Sequence, residues 1–194
     1  MSGRSATAPV RPEDADVSVL FVCLGNICRS PTAEGVFRRM LVDAGLDDRV
    51  FVDSAGTGDW HVGLPPDARA TAAARQRGID LTGLRARQTK PEDLERFDYV
   101  VAMDASNLAS LRDLQQGMGR DREQGRVVRL LDFASDRAGD GTGVGATDSL
   151  TRDVPDPYFG GHDGFDQVLD LIEDACAGLL HEVRKSVPPV TNGT

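Results

Sequence analysis

The chain has 194 residues with 40% hydrophobic content, which fits one globular domain with a sizeable core and leaves no room for a second. A formal net charge of −9 argues against non-specific nucleic-acid binding, which depends on basic side chains that neutralise phosphates, so no nucleic-acid partner is expected. The sequence has no apolar run near the roughly 20 residues that cross a bilayer, so we expect no membrane insertion.

Three regions are predicted along the chain. Residues 1–16 are polar, lack the apolar stretch of a signal peptide and are expected to form a disordered tail. Residues 17–187 are expected to form the folded domain, and residues 188–194 a mobile tail. Within the domain, residues 135–151 carry four glycines without apolar periodicity, which predicts a flexible loop. That loop is either a tolerated surface insertion or a segment that contacts substrate.

Apolar runs that alternate with helical patterns predict a parallel β-sheet flanked by helices. Strands are expected at residues 17–22, 50–52, 99–102 and 127–131. The first helix is expected to begin with Ser30 as N-cap and Pro31 at its first position, and to end at Gly45. Further helices are expected from Pro66-Asp67 to Gly78, from Asp104 to Leu114, and along an apolar stripe from Phe165 to Val183 that includes Cys176 as a core residue. The predicted fold class is α/β, a single-domain three-layer sandwich with a four-stranded parallel sheet.

The segment from Cys23 to Arg29 joins the first strand to the first helix. Five residues separate the thiol from the guanidinium, which allows the intervening backbone N–H groups to surround an oxyanion. Gly25 and Asn26 tolerate the unusual backbone angles that such a loop needs. The spacing alone decides nothing, because chance can produce it. The context favours a phosphate-binding loop with a nucleophilic Cys23 over an inert cysteine at a strand end.

The sequence Cys23-Leu-Gly-Asn-Ile-Cys-Arg-Ser-Pro31 resembles the signature loop of the low-molecular-weight protein tyrosine phosphatases. Further segments resemble family motifs in the family's order: Val52 to Gly58 with Trp60, Arg87-Gln88, Met103 to Asn107, and Asp156-Pro157-Tyr158. The resemblance runs from residue 17 to about residue 185 and therefore covers a whole domain. It implies hydrolysis of phosphotyrosine and aryl phosphates through a phosphocysteine intermediate, without a cofactor.

The resemblance implies a role for each residue of the site. Cys23 is the nucleophile, Arg29 grips two phosphoryl oxygens, and Asp156 is the general acid and base. Taken alone, Asp156-Pro157 would predict an ordinary turn. Substrate contacts are implied for the rest of the loop and for two aromatic walls: Leu24, Gly25, Asn26, Ile27, Cys28, Ser30, Trp60 and Tyr158. The walls would form a slot whose depth favours phosphotyrosine over phosphoserine.

Supporting roles follow from the same resemblance. Asn26 would hold the strained backbone of the loop, and Ser54 and Asp104 would support it from neighbouring elements. Leu84 stands where many family members carry a histidine, so the hydrogen bond of that histidine to the loop network is not available. Cys28 is either a small residue that fits the loop or a thiol that traps oxidised Cys23 as a reversible disulfide, and these interpretations are compatible.

Two other functional classes are weighed against the phosphatase. A thiol-dependent arsenate reductase would need resolving cysteines around residues 80–95, where there are none, and a phosphate-binding module without catalysis would have lost Cys23, Arg29 or Asp156. Three widely spaced histidines predict no metal site. An odd number of cysteines, three, suits a reducing cytoplasm. The expected partners are phosphotyrosine-containing proteins and a cognate tyrosine kinase, and the protein itself is expected to be a monomer or weak dimer.

Overall fold

Four parallel strands form the central sheet, in the order β2, β1, β3, β4. The computed structural model describes residues 12–118, 125–135, 152–159 and 164–189. The strands are β1 (Val17–Cys23), β2 (Val50–Gly56), β3 (Tyr99–Ala102) and β4 (Arg126–Arg129). The helices are α1 (Arg29–Ala44), α2 (Ala68–Gln76), α3 (Asp93–Arg96), α4 (Ala105–Gly117) and α5 (Gly164–Ser186). The predicted α/β fold with a parallel four-stranded sheet is confirmed.

Both faces of the sheet are covered by helices. Because successive side chains of a strand point to opposite faces, Val19 and Phe21 pack on one side with α1, α2 and α5. Leu20 and Val22 pack on the other side with α3 and α4. This double coverage explains why β1 is apolar along almost its whole length instead of alternating with polar residues.

The carboxyl end of β1 is the place where this topology opens a binding site. The strand lies between β2 and β3, and its last residue, Cys23, pairs in register with Gly56 of β2. The chain reaches β2 on one side of β1 and β3 on the other, so the connections diverge at this end of the strand. Open α/β sheets bind ligands at such a switch point. The loop of residues 24–28 therefore lies where the fold favours a ligand.

Helix boundaries differ from the prediction at one important residue. Gly45 ends α1 with φ of 67°, as predicted, but Ser30 is not the N-cap. The helix begins at Arg29 after Cys28, and Ser30 lies inside the first turn with its hydroxyl buried against the thiol of Cys23. The prediction was wrong because the hydroxyl serves the loop rather than the helix end.

Strand and terminal boundaries also differ from the prediction. β4 begins at Arg126, and residues 130–133, partly predicted as strand, form a 3₁₀ turn. The predicted disordered tail is wrong for residues 12–16, because Pro12–Asp14 form a 3₁₀ turn and Asp16 pairs with Arg49 at 2.6 Å. The rest of that tail, residues 1–11, lies outside the described residues. The same is true of nearly all of the glycine-rich loop, at 136–151, and of most of the C-terminal tail, at 190–194. Among the helices described, none has the length and apolarity that a membrane span requires.

Candidate active site

The loop after β1 is fastened to its neighbours by its carbonyl groups. Thr57 donates its backbone N–H to the oxygen of Cys23 at 2.9 Å, and Gly58 does the same to Leu24 at 2.9 Å. Asp67 donates its backbone N–H to the oxygen of Ile27 at 2.7 Å. These bonds fix the loop from outside without using its own N–H groups. Those N–H groups are what an oxyanion would require.

The thiol of Cys23 lies on the inner side of this loop and receives polar contacts. The backbone N–H of Asn26 donates to its Sγ at 3.2 Å, and the Ser30 hydroxyl lies 3.0 Å from the same sulfur in a hydrogen bond. A hydrogen bond donated to sulfur stabilises the thiolate, which is the nucleophilic form. Ser30, which the resemblance implies as a substrate contact, therefore lies against the sulfur of Cys23.

Asn26 holds the loop in a conformation that few residues adopt. Its φ of 55° makes it the one residue other than glycine with left-handed backbone within the described chain. Its Nδ2 donates to Ser30 Oγ and to Ser54 Oγ, each at 2.9 Å, and its Oδ1 accepts the backbone N–H of Arg87 at 2.9 Å. Leu84, at the family's histidine position, packs against the apolar core instead.

Arg29 is buried and held by two carboxylates. Its Nη1 donates to Asp104 Oδ2 at 2.6 Å and to the backbone oxygen of Val154 at 3.1 Å, and its Nη2 donates to Asp156 Oδ2 at 3.1 Å. Asp104 also caps α4 by accepting the N–H of Asn107 at 2.7 Å. Asp104 thus contacts Arg29, whereas Ser54 contacts Asn26, and a supporting role for both stays a prediction.

The segment that carries Asp156 is both a turn and a wall of the site. Asp156 Oδ1 accepts the backbone N–H of Tyr158 at 3.0 Å, and Pro157–Phe159 form a 3₁₀ turn. The turn predicted from Asp-Pro is therefore present, and it directs the other carboxylate oxygen to Arg29. The same segment therefore forms a turn and carries the proposed acid.

A pocket of about 380 Å³ joins these groups. It is lined by Cys23, Leu24, Gly25, Ile27, Cys28, Arg29, Trp60, His61, Asp156 and Tyr158. Of the predicted substrate-binding residues, Asn26 and Ser30 are missing from this lining because they lie buried behind the loop. Trp60 and Tyr158 are 59% and 44% exposed, so the aromatic walls stand at the mouth of the pocket.

Two polar residues near the site were missed by the sequence interpretation. His61 lines the pocket, and a Cβ at Gly25 would lie 2.8 Å from its Cδ2, so a larger residue at position 25 would displace the imidazole. Glu34 is buried on the sheet-facing side of α1, where it accepts the Ser54 hydroxyl at 2.5 Å and pairs with Arg38 at 2.6 Å. Burial raises the pKa of Glu34 from 4.5 to about 7. A carboxylate among the core positions of a helix was the available signal for this residue.

The other two cysteines are buried thiols of a different kind. Burial raises the pKa of Cys28 to about 12, with the nearby Asp67 as a second cause, so its thiol stays protonated at neutral pH. Burial likewise raises the pKa of Cys176, which packs in the core of α5 as predicted. Within the described ranges no three His, Cys, Asp or Glu side chains are grouped to hold a metal, and a metal-independent reaction remains a prediction.

Comparison with known proteins agrees with this geometry. A family model described as low molecular weight phosphotyrosine protein phosphatase matches residues 18–188. A low molecular weight protein-tyrosine-phosphatase of Streptomyces coelicolor is 46% identical over 169 residues, 87% of this chain and 94% of the relative. The enzyme YfkJ of Bacillus subtilis, a low molecular weight protein-tyrosine-phosphatase, is 43% identical over 87% of this chain and 97% of its own length.

Solved structures show the same likeness. The crystal structure of YfkJ superposes with a TM-score of 0.71 at 42% identity, covering 87% of this chain and 95% of that one. The crystal structure of DARP, a Drosophila arginine phosphatase, superposes with a TM-score of 0.72 at 32% identity, covering 86% of this chain and 97% of that one. Fold and relatives together define the protein as a phosphatase that acts on protein phosphotyrosine. Specifically, the chain belongs to the low molecular weight phosphotyrosine protein phosphatase family, which confirms the resemblance in its sequence.

Proposed function

We propose that this phosphatase cleaves phosphotyrosine by two displacements on one cysteine. The observation that carries the proposal is that a thiol, a buried guanidinium and a carboxylate line one pocket: Cys23, Arg29 and Asp156. A phosphate ester needs a nucleophile in line with the leaving oxygen, stabilisation of the equatorial oxygens, and a proton for the leaving group. These three side chains supply one requirement each.

In the first displacement the Cys23 thiolate attacks phosphorus, and the bond between phosphorus and the tyrosyl oxygen breaks. Protonated Asp156 gives its proton to that oxygen, so tyrosine leaves as a neutral phenol. Arg29 and the loop N–H groups hold the three equatorial oxygens. The planar fork of Arg29 matches two of these oxygens, which the point charge of lysine cannot do.

In the second displacement water cleaves the phosphocysteine. Asp156, now a carboxylate, accepts a proton from the attacking water, and the bond between phosphorus and sulfur breaks. The Ser30 hydroxyl, 3.0 Å from the sulfur, and the Asn26 N–H, 3.2 Å from it, stabilise the departing thiolate. Inorganic phosphate is then released.

The walls of the pocket favour a substrate with an aromatic ring. Trp60 and Tyr158 face the mouth of a pocket that has the reactive sulfur in its lining, so a phenyl ring can lie between them while its phosphoryl group reaches the loop. One structural relative is an arginine phosphatase, and phosphoarginine is therefore the competing substrate to include in any assay.

We also propose where and with whom the enzyme acts. Three free cysteines, one of them the nucleophile, suit the reducing cytoplasm, and the substrates are phosphotyrosine proteins made by a cognate tyrosine kinase. A monomer or weak dimer is proposed, and equilibrium sedimentation tests it. A stable higher oligomer would contradict this.

The mechanism is tested by hydrolysis of p-nitrophenyl phosphate and a phosphotyrosyl peptide in excess EDTA. Cys23→Ser should abolish turnover of both, and Asp156→Ala should reduce turnover of the peptide most, since tyrosine is the poorer leaving group. Asp43→Asn, at an exposed carboxylate of α1, is the matched control and should be unchanged. Wild-type enzyme that binds phosphate without turnover would favour a binding module, and faster cleavage of phosphoarginine would overturn the substrate assignment.

A further inference from the structure

Arg69, in the first turn of α2, has a set of contacts that the proposed mechanism does not use. Its Nε and Nη2 form a two-point ion pair with Asp67, at 3.1 Å and 2.9 Å. Its Nη1 donates to the backbone oxygen of Tyr158 at 3.3 Å. The guanidinium carbon lies 5.4 Å from the ring centroid of Tyr158 and 5.0 Å from that of Phe165 in α5. A guanidinium over aromatic rings at these distances is a cation–π contact.

The same helix end is attached to the phosphate loop. Asp67 donates its backbone N–H to Ile27 at 2.7 Å and accepts the backbone N–H of Arg69 at 2.8 Å. Ile27 and Tyr158 both line the pocket. The pair Asp67 and Arg69 therefore connects the loop that would hold the phosphoryl group with the wall that would hold the ring.

We propose that Arg69 is a positioning residue that holds Tyr158 as a wall of the pocket and thereby makes the site selective for aromatic phosphates. Two of its three donor nitrogens are satisfied by Asp67, and the third is directed to Tyr158, so the guanidinium holds the wall rather than binding an acidic substrate residue. This inference rests on the proposed function.

A merely structural ion pair predicts a different result. It would lower the stability of α2 and would affect all ligands of the pocket alike. A positioning role affects only ligands that reach Tyr158. In the proposed function inorganic phosphate needs only the loop and Arg29, whereas phenyl phosphate also needs the wall, so comparison of these two probes separates the two roles.

The experiment compares Arg69→Met, Arg69→Lys and the control Arg75→Met, which removes an exposed arginine from the same helix. Binding of phenyl phosphate and of inorganic phosphate is measured by calorimetry on a Cys23→Ser background, so no turnover is needed. Arg69→Met should lower the affinity for phenyl phosphate about five- to tenfold and change the affinity for inorganic phosphate less than twofold. Arg69→Lys keeps a cation near the rings, so its affinity for phenyl phosphate should lie between those of wild type and Arg69→Met. Arg75→Met should change the affinity for neither probe.

Two results would overturn the proposal. One is an unchanged affinity of Arg69→Met for phenyl phosphate, and the other is an equal loss for both probes. Thermal unfolding of each variant shows that the folded protein is being compared. In the active enzyme, Arg69→Met should raise KM for p-nitrophenyl phosphate more than it lowers kcat. Absence of turnover in the wild type would refute the proposed mechanism and leave the binding comparison intact.

Discussion

Arg29 and Asp156, the proposed phosphate clamp and the proposed acid, form an ion pair with each other at 3.1 Å. Nη1 of Arg29 is held by Asp104 and by the Val154 carbonyl, which fixes the orientation of the guanidinium. A phosphoryl group that binds Arg29 must therefore share the guanidinium with the Asp156 carboxylate, and the two anions compete for its positive charge. Phosphate binding and the charge of Asp156 are coupled in this geometry.

This competition gives opposite effects of one substitution on binding and turnover. Asp156→Asn removes the negative charge that competes with phosphate, and we expect inorganic phosphate to inhibit about two- to fivefold more tightly. Turnover of a phosphotyrosyl peptide should fall about 10²- to 10⁴-fold, because the amide cannot donate the proton. Steady-state kinetics with phosphate as competitive inhibitor measure both. Weaker inhibition by phosphate in the variant would contradict the competition.

Cys28 should protect the nucleophile from irreversible oxidation. Peroxide converts the Cys23 thiolate to a sulfenic acid, and the Cys28 thiol can condense with it, forming a disulfide and releasing water. Activity lost to peroxide should return with dithiothreitol in the wild type and in the control Cys176→Ala, but only in small part in Cys28→Ser. Intact-mass measurement should show a loss of two hydrogens in the wild type. Equal recovery in all three proteins would leave Cys28 as merely a small residue of the loop.

Glu34 should make stability depend on pH. Because burial raises its pKa from 4.5 to about 7, folding favours the protonated form. The stability that it contributes is fully present below pH 4.5 and is lost as the pH rises through 7. Glu34→Gln cannot ionise, so its free energy of unfolding relative to wild type should rise by about 3 kcal/mol between pH 4 and pH 8. Denaturant unfolding at pH 4 and pH 8 tests this, with substitution of the exposed Glu92 by Gln as the control. If the free energy of unfolding of Glu34→Gln relative to wild type stays constant with pH, the prediction is contradicted.

Two substitutions of Asn26 should separate backbone strain from hydrogen bonding. Asn26→Gly tolerates the φ of 55°, whereas Asn26→Ala does not, so the alanine variant should be less stable by about 1 kcal/mol. Both variants lose the bonds to Ser30, Ser54 and Arg87, and both should lose at least about tenfold in kcat/KM. Thermal unfolding and steady-state kinetics measure the two effects. Full activity in Asn26→Gly would mean that the side-chain bonds are dispensable.

The sequence predicted those parts of the site that are local in the chain. Cys23 and Arg29 lie within seven residues of each other, so strand, loop and helix signals were sufficient to predict that they lie at one site. Ser30 was wrongly predicted as the N-cap of α1, because the N-cap preference of serine is a statistical tendency that its tertiary contact with Cys23 overrode. The ion pair of Arg29 with Asp156 spans 127 residues, and only the family resemblance could suggest that these residues meet.

Glu34 illustrates a second limit of prediction from the sequence. A single carboxylate in an amphipathic helix is usually solvated, so the place of Glu34 among the core positions of α1 was not sufficient to predict its burial. Its burial depends on Ser54, which reaches it from β2. Contacts between elements that are close in space but separated in the chain are not visible in periodicity.

The register of β1 with β2 has a practical consequence for selective inhibitors. Cys23 ends a strand paired on both sides, Gly56 beside it forms a further bridge to Gln88, and Asn26, Arg29 and Ser30 are almost wholly buried. The floor of the pocket is therefore an integral part of the sheet and its loop, whose buried contacts leave little room for substitution. Trp60 and Tyr158 are exposed and stand on connecting segments. A compound that distinguishes this enzyme from its relatives must obtain its selectivity from the walls, and the phosphate mimic at its base will contribute affinity alone.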